Sequence, residues 1–289
     1  MGRLLVVQGS SLRIGSADVR AGVRGLGLSG WPVCLHASLR SFGRVDGGAE
    51  TVVDGFLDEG CTILVPSFSA GYGMPGFSIL PPQHLRPRRN GTDYQTFTER
   101  MGGPGRVYTP ATNEIEPGLG AVPRAVVHRM GRARGAHALN SFAAIGPLAE
   151  PLIAGQCRGD VYAPLRQLGE LGGSVVLIGV GLTSMTLLHV AESMAGRRRF
   201  VRWANVTDGQ PAAWDVGGCS EGFDRFEPVL ASLAQEVLVG PSRWRAFPAR
   251  QTALMAAAAI RADPEITRCP DLSCLRCQDA IAGGPVDDA

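Results

Sequence analysis

The chain has 289 residues, 45% of them hydrophobic, and its 28 basic residues, all arginine, face 26 acidic ones. That content fills the core of one large domain, and a net charge of +2 offers no basic field for nucleic acid. The absence of lysine excludes Schiff-base and P-loop lysine chemistry, and seven cysteines, an odd number, do not make a secreted disulfide framework.

The opening "MGRLLVVQGS" has too short an apolar run for a signal peptide. No window reaches the roughly 18 apolar residues of a membrane span. The expected location is the cytoplasm. Ser16 is placed to cap a short helix, "ADVRAGVRGLGL", which glycine ends. Residues 31–69 then read as a βαβ unit, with "PVCLHA" and "TILVPS" as strands around a helical stretch. Residues 70–118 are rich in glycine and proline and carry little periodicity. A segment that long inside a compact domain usually builds a binding site.

"GLGAVPRAVVHRM" predicts a helix, "SFAAIGPLAEPLIAG" holds a second and "VYAPLRQLGELGG" a short third. A buried-looking strand at 174–180 follows, then an apolar helix at about 184–195. "RRRFVRWANV" predicts a strand, with its arginines 197–199 in a solvated turn. Helices near 223–236 and 250–262 complete the pattern. No internal repeat is present. The fold class is therefore α/β: a mixed, mostly parallel central sheet flanked by helices, in a single domain over residues 1–289. Residues 263–289 form a cysteine-containing C-terminal tail.

Two motifs fail on context. "GVGLTS" (179–184) is half a dinucleotide fingerprint, without the third glycine or the later acidic residue. "GCSEG" (218–222) matches a nucleophile elbow, but no histidine follows Ser220. His189 differs from an ordinary structural histidine by its setting. It follows a strand–glycine–helix crossover, where α/β sheets place ligands. Thr186, three residues earlier, shares its helix face, and Glu192 lies one turn later. "CPDLSCLRC" supplies Cys269, Cys274 and Cys277. Three thiolates do not complete a tetrahedral zinc site, and Cys219 can be the fourth. A reduced, metal-free tail is the alternative. Cys34, Cys61 and Cys157 fall in ordinary core or loop contexts.

The blocks "LHASLRSFGRVDGGAETVV", "GCTILVPSFS", "GLGAVPRAVVHRMGRARGAHALNSFAAIGP" and "GGSVVLIGVGLTSMTLLHVAE" carry a resemblance. In their order and spacing the chain resembles the aminoglycoside 3-N-acetyltransferases, which use acetyl-coenzyme A. The resemblance covers roughly residues 30–195 well and the rest more loosely. It implies direct acetyl transfer to an amine. The family's T-x-x-H-x-A-E helix falls on Thr186, His189 and Glu192. The resemblance implies that His189 is the general base, that Thr186 stabilises the oxyanion and that Glu192 braces the helix or lines the amine side. The family's H-x-S-x-R-S turn falls on His36, Ser38, Arg40 and Ser41, with Leu39 between them, on the coenzyme A side. An acid behind the histidine is expected in "WDVGGCSEGFD", Asp215 first and Glu221 second.

The chemistry is consistent with that implication. An amine must be neutral to attack a thioester, and a histidine titrating near pH 6.5 is suited to taking its proton. One departure concerns the acceptor. The loop beginning "AGYGMPGFSILPPQHLRPRRN" is apolar and then basic, where family members acting on polycations carry carboxylates. Its first acid is Asp93, with Glu116 later. A cation in a partly desolvated cleft needs compensating charge, so a less charged amino sugar, nucleoside or other natural-product amine fits this loop better than an aminoglycoside. The expected partner is a small-molecule amine, with neither nucleic acid nor membrane, and the expected assembly is a homodimer. Two alternatives from other classes stay open: a non-catalytic coenzyme A- or partner-binding member of the same fold, and a thioesterase-type hydrolase.

Overall fold

The computed structural model describes residues 5–7, 13–73, 106–209 and 211–284. In chain order the elements are β1 (Leu5–Val7), α1 (Ser16–Gly25), β2 (Pro32–Ala37), α2 (Ala49–Asp58) and β3 (Thr62–Pro66). Next come α3 (Ala121–His128), β4 (Ala133–Arg134), β5 (Phe142–Ile145), α4 (Ala149–Ile153), α5 (Ala163–Glu170), β6 (Ser174–Ile178) and α6 (Leu187–Met194). The chain continues through β7 (Phe200–Asn205), β8 (Pro211–Val216), α7 (Glu227–Leu230), β9 (Gln235–Val239), β10 (Ser242–Pro248), α8 (Ala249–Ala262) and α9 (Leu275–Ile281).

Eight strands form one mixed sheet in the order β1-β9-β10-β6-β2-β3-β5-β4. Its centre, β6-β2-β3, is parallel. Antiparallel strands extend it on both sides. The sequence of β6 explains the layering. Successive side chains of a strand point to opposite faces. Val175 and Leu177 enter one core with Leu165, Leu168, Leu188 and Ala257. Val176 and Ile178 enter the other with Val19, Val52, Phe56 and Val126. A central strand buried on both faces reads as a continuous apolar run. In the second core Trp244 stacks on Phe56 and meets the edge of Phe42.

Several expectations are corrected. Helix α1 is capped by Gly15, whose N–H donates to Asp18 Oδ2, one residue before the expected Ser16. "SFAAI" opens as strand β5, and only α4 within that segment is helical. The expected helix at 223–236 is a run of short turns and one-turn α7 that leads into β9. In a segment for which no element is expected, "AAWDV" is strand β8, paired antiparallel with β7 in a separate ribbon. Trp214 fills that ribbon's inner face with Phe200, Ala204 and Leu139. A Trp-anchored hairpin compensates for its two alanines, which have little strand preference. Among the described residues no helix is long and apolar enough to cross a membrane.

Candidate active site

A cavity of about 950 Å³ opens at the carboxyl ends of β2, β3 and β6. This is where a doubly wound sheet places ligands. Residues just beyond β2 (Ser38, Leu39, Arg40), β3 (Phe68) and β6 (Thr183, Ser184) line it, together with Thr186 and His189 of the following helix. The turn between β6 and α6 requires glycine. Gly179 adopts φ +62, and a side chain there would collide with Ser41.

His189 is 8% exposed, on the first turn of α6. Its Nδ1 lies 2.7 Å from Glu192 Oε2, one turn on. Glu192 Oε1 in turn accepts from Arg197 at 2.8 Å. Arg197 is also tied to Thr267 Oγ1 and the Pro264 carbonyl. The carboxylate thus sits between two partners, which is what a buried acid needs. The imidazole is held flat against Tyr162, with centroids 5.7 Å apart, and edge-on to Phe223 at 4.9 Å. With Nδ1 engaged, Nε2 is the ring nitrogen left for the cavity. Half-buried Thr186 begins the same helix at the cavity wall, where the helix dipole favours negative charge.

The carboxylate on His189 Nδ1 is that of Glu192, and Asp215, expected behind His189, is placed elsewhere. Asp215 lies on β8, and its Oδ2 accepts from Arg199 at 2.5 Å and from the Val161 N–H at 3.3 Å. Its Oδ1 lies 3.4 Å from His137 Nε2. His137 Nδ1 accepts the N–H of Asn140, so that ring carries its proton on Nε2, toward Asp215. Glu221 is exposed and does not line the cavity; its backbone N–H faces the Cys219 sulfur. Arginines 197 and 199 are not a solvated turn, because their guanidinium groups hold Glu192 and Asp215.

The β2 turn divides in two. His36, Ser38, Leu39 and Arg40 line the cavity. Burial lowers the His36 pKa to about 4 and keeps its ring neutral. Ser41 is turned away, its hydroxyl bonded to the Ser38 carbonyl and to Ser242 Oγ. That hydroxyl closes the turn and does not face the cavity. Glu116 also lines the cavity, and burial raises its pKa. It is the only carboxylate lining the cavity among the described residues. Asp93 lies outside the described residues.

The sulfurs of Cys219, Cys269, Cys274 and Cys277 all lie within 4.8 Å of one another. A hydrogen bond from Cys277 draws the Cys219 thiol down to about 5, and the same contact raises Cys277. Zinc–sulfur bonds of about 2.3 Å on a tetrahedron fit sulfurs at this spacing. The tail is folded to residue 284, with α9 carrying Cys277 and half-buried Arg276, which lines the cavity.

The residues missed in the sequence are Tyr162, Gly217, Arg197 and Arg276. Gly217 packs so closely on the imidazole that a Cβ there would stand 3.0 Å from His189 Nε2 and collide with the Tyr162 hydroxyl. The glycine pair in "VGGC" is the only signal for it.

The family model for aminoglycoside 3-N-acetyltransferase matches residues 34–261. Aminoglycoside N(3)-acetyltransferase VIII of Streptomyces fradiae is 32% identical over 192 residues, 64% of this chain and 64% of that protein. Aminoglycoside N(3)-acetyltransferase VII of Streptomyces paromomycinus is 30% identical over 256 residues, 78% of this chain and 83% of that protein. The crystal structure of the aminoglycoside acetyltransferase AAC(3)-IVa superposes with a TM-score of 0.73 at 25% identity, covering 96% of this chain and all of that one. On this sequence match and this shared fold, the chain belongs to the aminoglycoside 3-N-acetyltransferase family.

Proposed function

We propose that the chain moves an acetyl group from acetyl-coenzyme A to an amine of an aminoglycoside or related amino sugar, with His189 as general base. The observation that carries this is the Glu192–His189 hydrogen bond at the cavity wall, beside Thr186. The names of the relatives support aminoglycoside acceptors. A structural neighbour, AAC-IIIb, 21% identical, holds coenzyme A.

In this reading the neutral amine attacks the acetyl carbonyl carbon. The new N–C bond forms as the amine proton passes to His189 Nε2. Glu192 fixes the tautomer and stabilises the imidazolium. The Thr186 hydroxyl donates to the carbonyl oxygen as it gains charge. The C–S bond then breaks, and the coenzyme A thiolate leaves and takes the proton. His36, Ser38, Leu39 and Arg40 form the coenzyme A wall, and Glu116 faces the acceptor. One carboxylate neutralises few ammonium groups, so acceptors with fewer of them are favoured.

The test is thiol release from acetyl-coenzyme A with sisomicin, gentamicin and glucosamine as acceptors, each product checked by mass spectrometry for one added acetyl group. His189→Ala is expected to abolish turnover with every acceptor. Full activity in that variant would overturn the general-base assignment.

We also propose that the four-cysteine cluster holds one structural zinc. The ion would tie the loop after β8 to α9 by bonds to Cys219, Cys269, Cys274 and Cys277.

A further inference from the structure

We propose that Tyr162 is a further catalytic residue, whose hydroxyl accepts a hydrogen bond from the attacking amine and aims its lone pair. This rests on the proposed role of His189. Three observations place it there. The Tyr162 ring lies nearly parallel to the imidazole, at an interplanar angle of 10°. Both residues line the cavity. The phenol oxygen and His189 Nε2 also border the same small volume, the one that a side chain at Gly217 would occupy.

Tyr162 is 1% exposed. A phenol so placed ordinarily has a fixed hydrogen-bond partner. No such partner stands among the described residues, so the hydroxyl is available to a molecule in the cavity. Burial raises its pKa, and the nearby Glu192 and Asp215 act in the same direction. The group therefore stays a neutral phenol, able to accept from an amine N–H. An amine bonded to Nε2 through one N–H has a second N–H for Tyr162. Two fixed hydrogen bonds orient its lone pair, and orientation is a large part of what catalysis supplies.

The surroundings fix this tyrosine. Asp215 Oδ2 accepts the N–H of Val161, the preceding residue. Arg199, held by Asp215, lies 5.7 Å from the centre of the Tyr162 ring. Asp215, expected behind His189, instead positions the residue stacked on it.

The experiment compares wild type, Tyr162→Phe and His189→Ala, with acetyl-coenzyme A and sisomicin. Phenylalanine keeps the ring and its stacking, so the midpoint of urea unfolding should stay at the wild-type value. We expect kcat to fall about 10- to 100-fold and KM for acetyl-coenzyme A to hold, the size of one lost orienting hydrogen bond. The acid limb of the kcat profile should not move, because Tyr162 does not take the proton. Wild-type kcat in Tyr162→Phe with an inactive His189→Ala overturns this inference and leaves the base assignment standing. Wild-type kcat in both variants overturns both. A loss in KM alone, or a shifted acid limb, also overturns it.

Discussion

Glu192 Oε2 lies 2.7 Å from His189 Nδ1, and Glu192's other oxygen is held by buried Arg197. One carboxylate therefore bridges the imidazole and the guanidinium of the loop that follows the helix. Replacing Glu192 with Gln keeps the shape and removes the charge that, in the proposed mechanism, stabilises the imidazolium. The expected result is a kcat at least about 100-fold lower, within the range of general-base effects of about 10²–10⁴. Arg197 would also lose its carboxylate. Breaking a buried pair costs about 3–5 kcal/mol, and Gln, which still offers an oxygen, should fall at the low end. Steady-state kinetics and urea unfolding check the two effects separately. Unchanged kcat with reduced stability would mean that the carboxylate only braces the helix.

Gly217 supplies a second test, by sterics alone. An added Cβ would stand 2.9 Å from His189 Cδ2 and 3.0 Å from Nε2. The ring cannot retreat, since Phe223 and Tyr162 pack against it. Gly217→Ala should therefore cut kcat by about 100-fold, as small misplacements of reacting groups do. Its overpacking cost should be about 1–3 kcal/mol. Circular dichroism and turnover numbers on the same preparation check this.

His36 predicts how stability depends on pH. Its folded pKa is about 4 against an ordinary 6.5, because burial penalises the charged ring. Between those values the unfolded chain binds the extra proton, so stability falls as pH drops from about 6.5 to 4. At 1.36 kcal/mol per pKa unit the loss reaches roughly 3 kcal/mol and then levels off. His36→Gln should flatten the curve in that window. Urea unfolding at a series of pH values measures it, and an equally steep curve in the variant would refute the assignment.

Much of this arrangement was legible in the chain before folding. The parallel centre of the sheet followed from "PVCLHA", "TILVP" and "SVVLI", whose apolar runs are what a strand buried on both faces requires. His189 and Thr186 were legible because helix spacing alone puts them on one face. Glu192 was legible for the same reason, yet its place behind the imidazole was given to Asp215. That choice turned on tertiary placement. Asp215 lies on a ribbon whose register with β7 carries it to Arg199 and His137. Nothing in the local pattern of "AAWDVG" marks that pairing. Strands β9 and β10 were missed because charged residues interrupt the apolar runs of "QEVLV" and "SRWRAFP", and those charges find partners only in the fold, Arg243 with Glu236 and Arg245 with Glu227. Tyr162 was invisible for another reason. Its neighbour is His189, which comes from a different segment and meets it only through packing.

The cysteine cluster was legible in "CPDLSCLRC", and its fourth member only by elimination. Cys219 follows Gly217 by two residues, and Cys277 follows Arg276 by one. A metal holding those sulfurs would fix both the glycine packed on His189 and an arginine at the cavity wall. Cys219→Ser should therefore lower bound zinc and the midpoint of thermal unfolding together, and lower kcat as well. Cys157→Ser, at an exposed cysteine outside the cluster, should change none of the three. Because each ligand must be deprotonated, chelation should grow easier as pH falls. Emission spectroscopy of the purified protein should find about one zinc per chain. A chelator that removes the metal should slow turnover before the chain unfolds, since the loop at Gly217 loosens first. A metal-free protein with full activity and an unchanged midpoint would leave the four sulfurs as a packed thiol cluster.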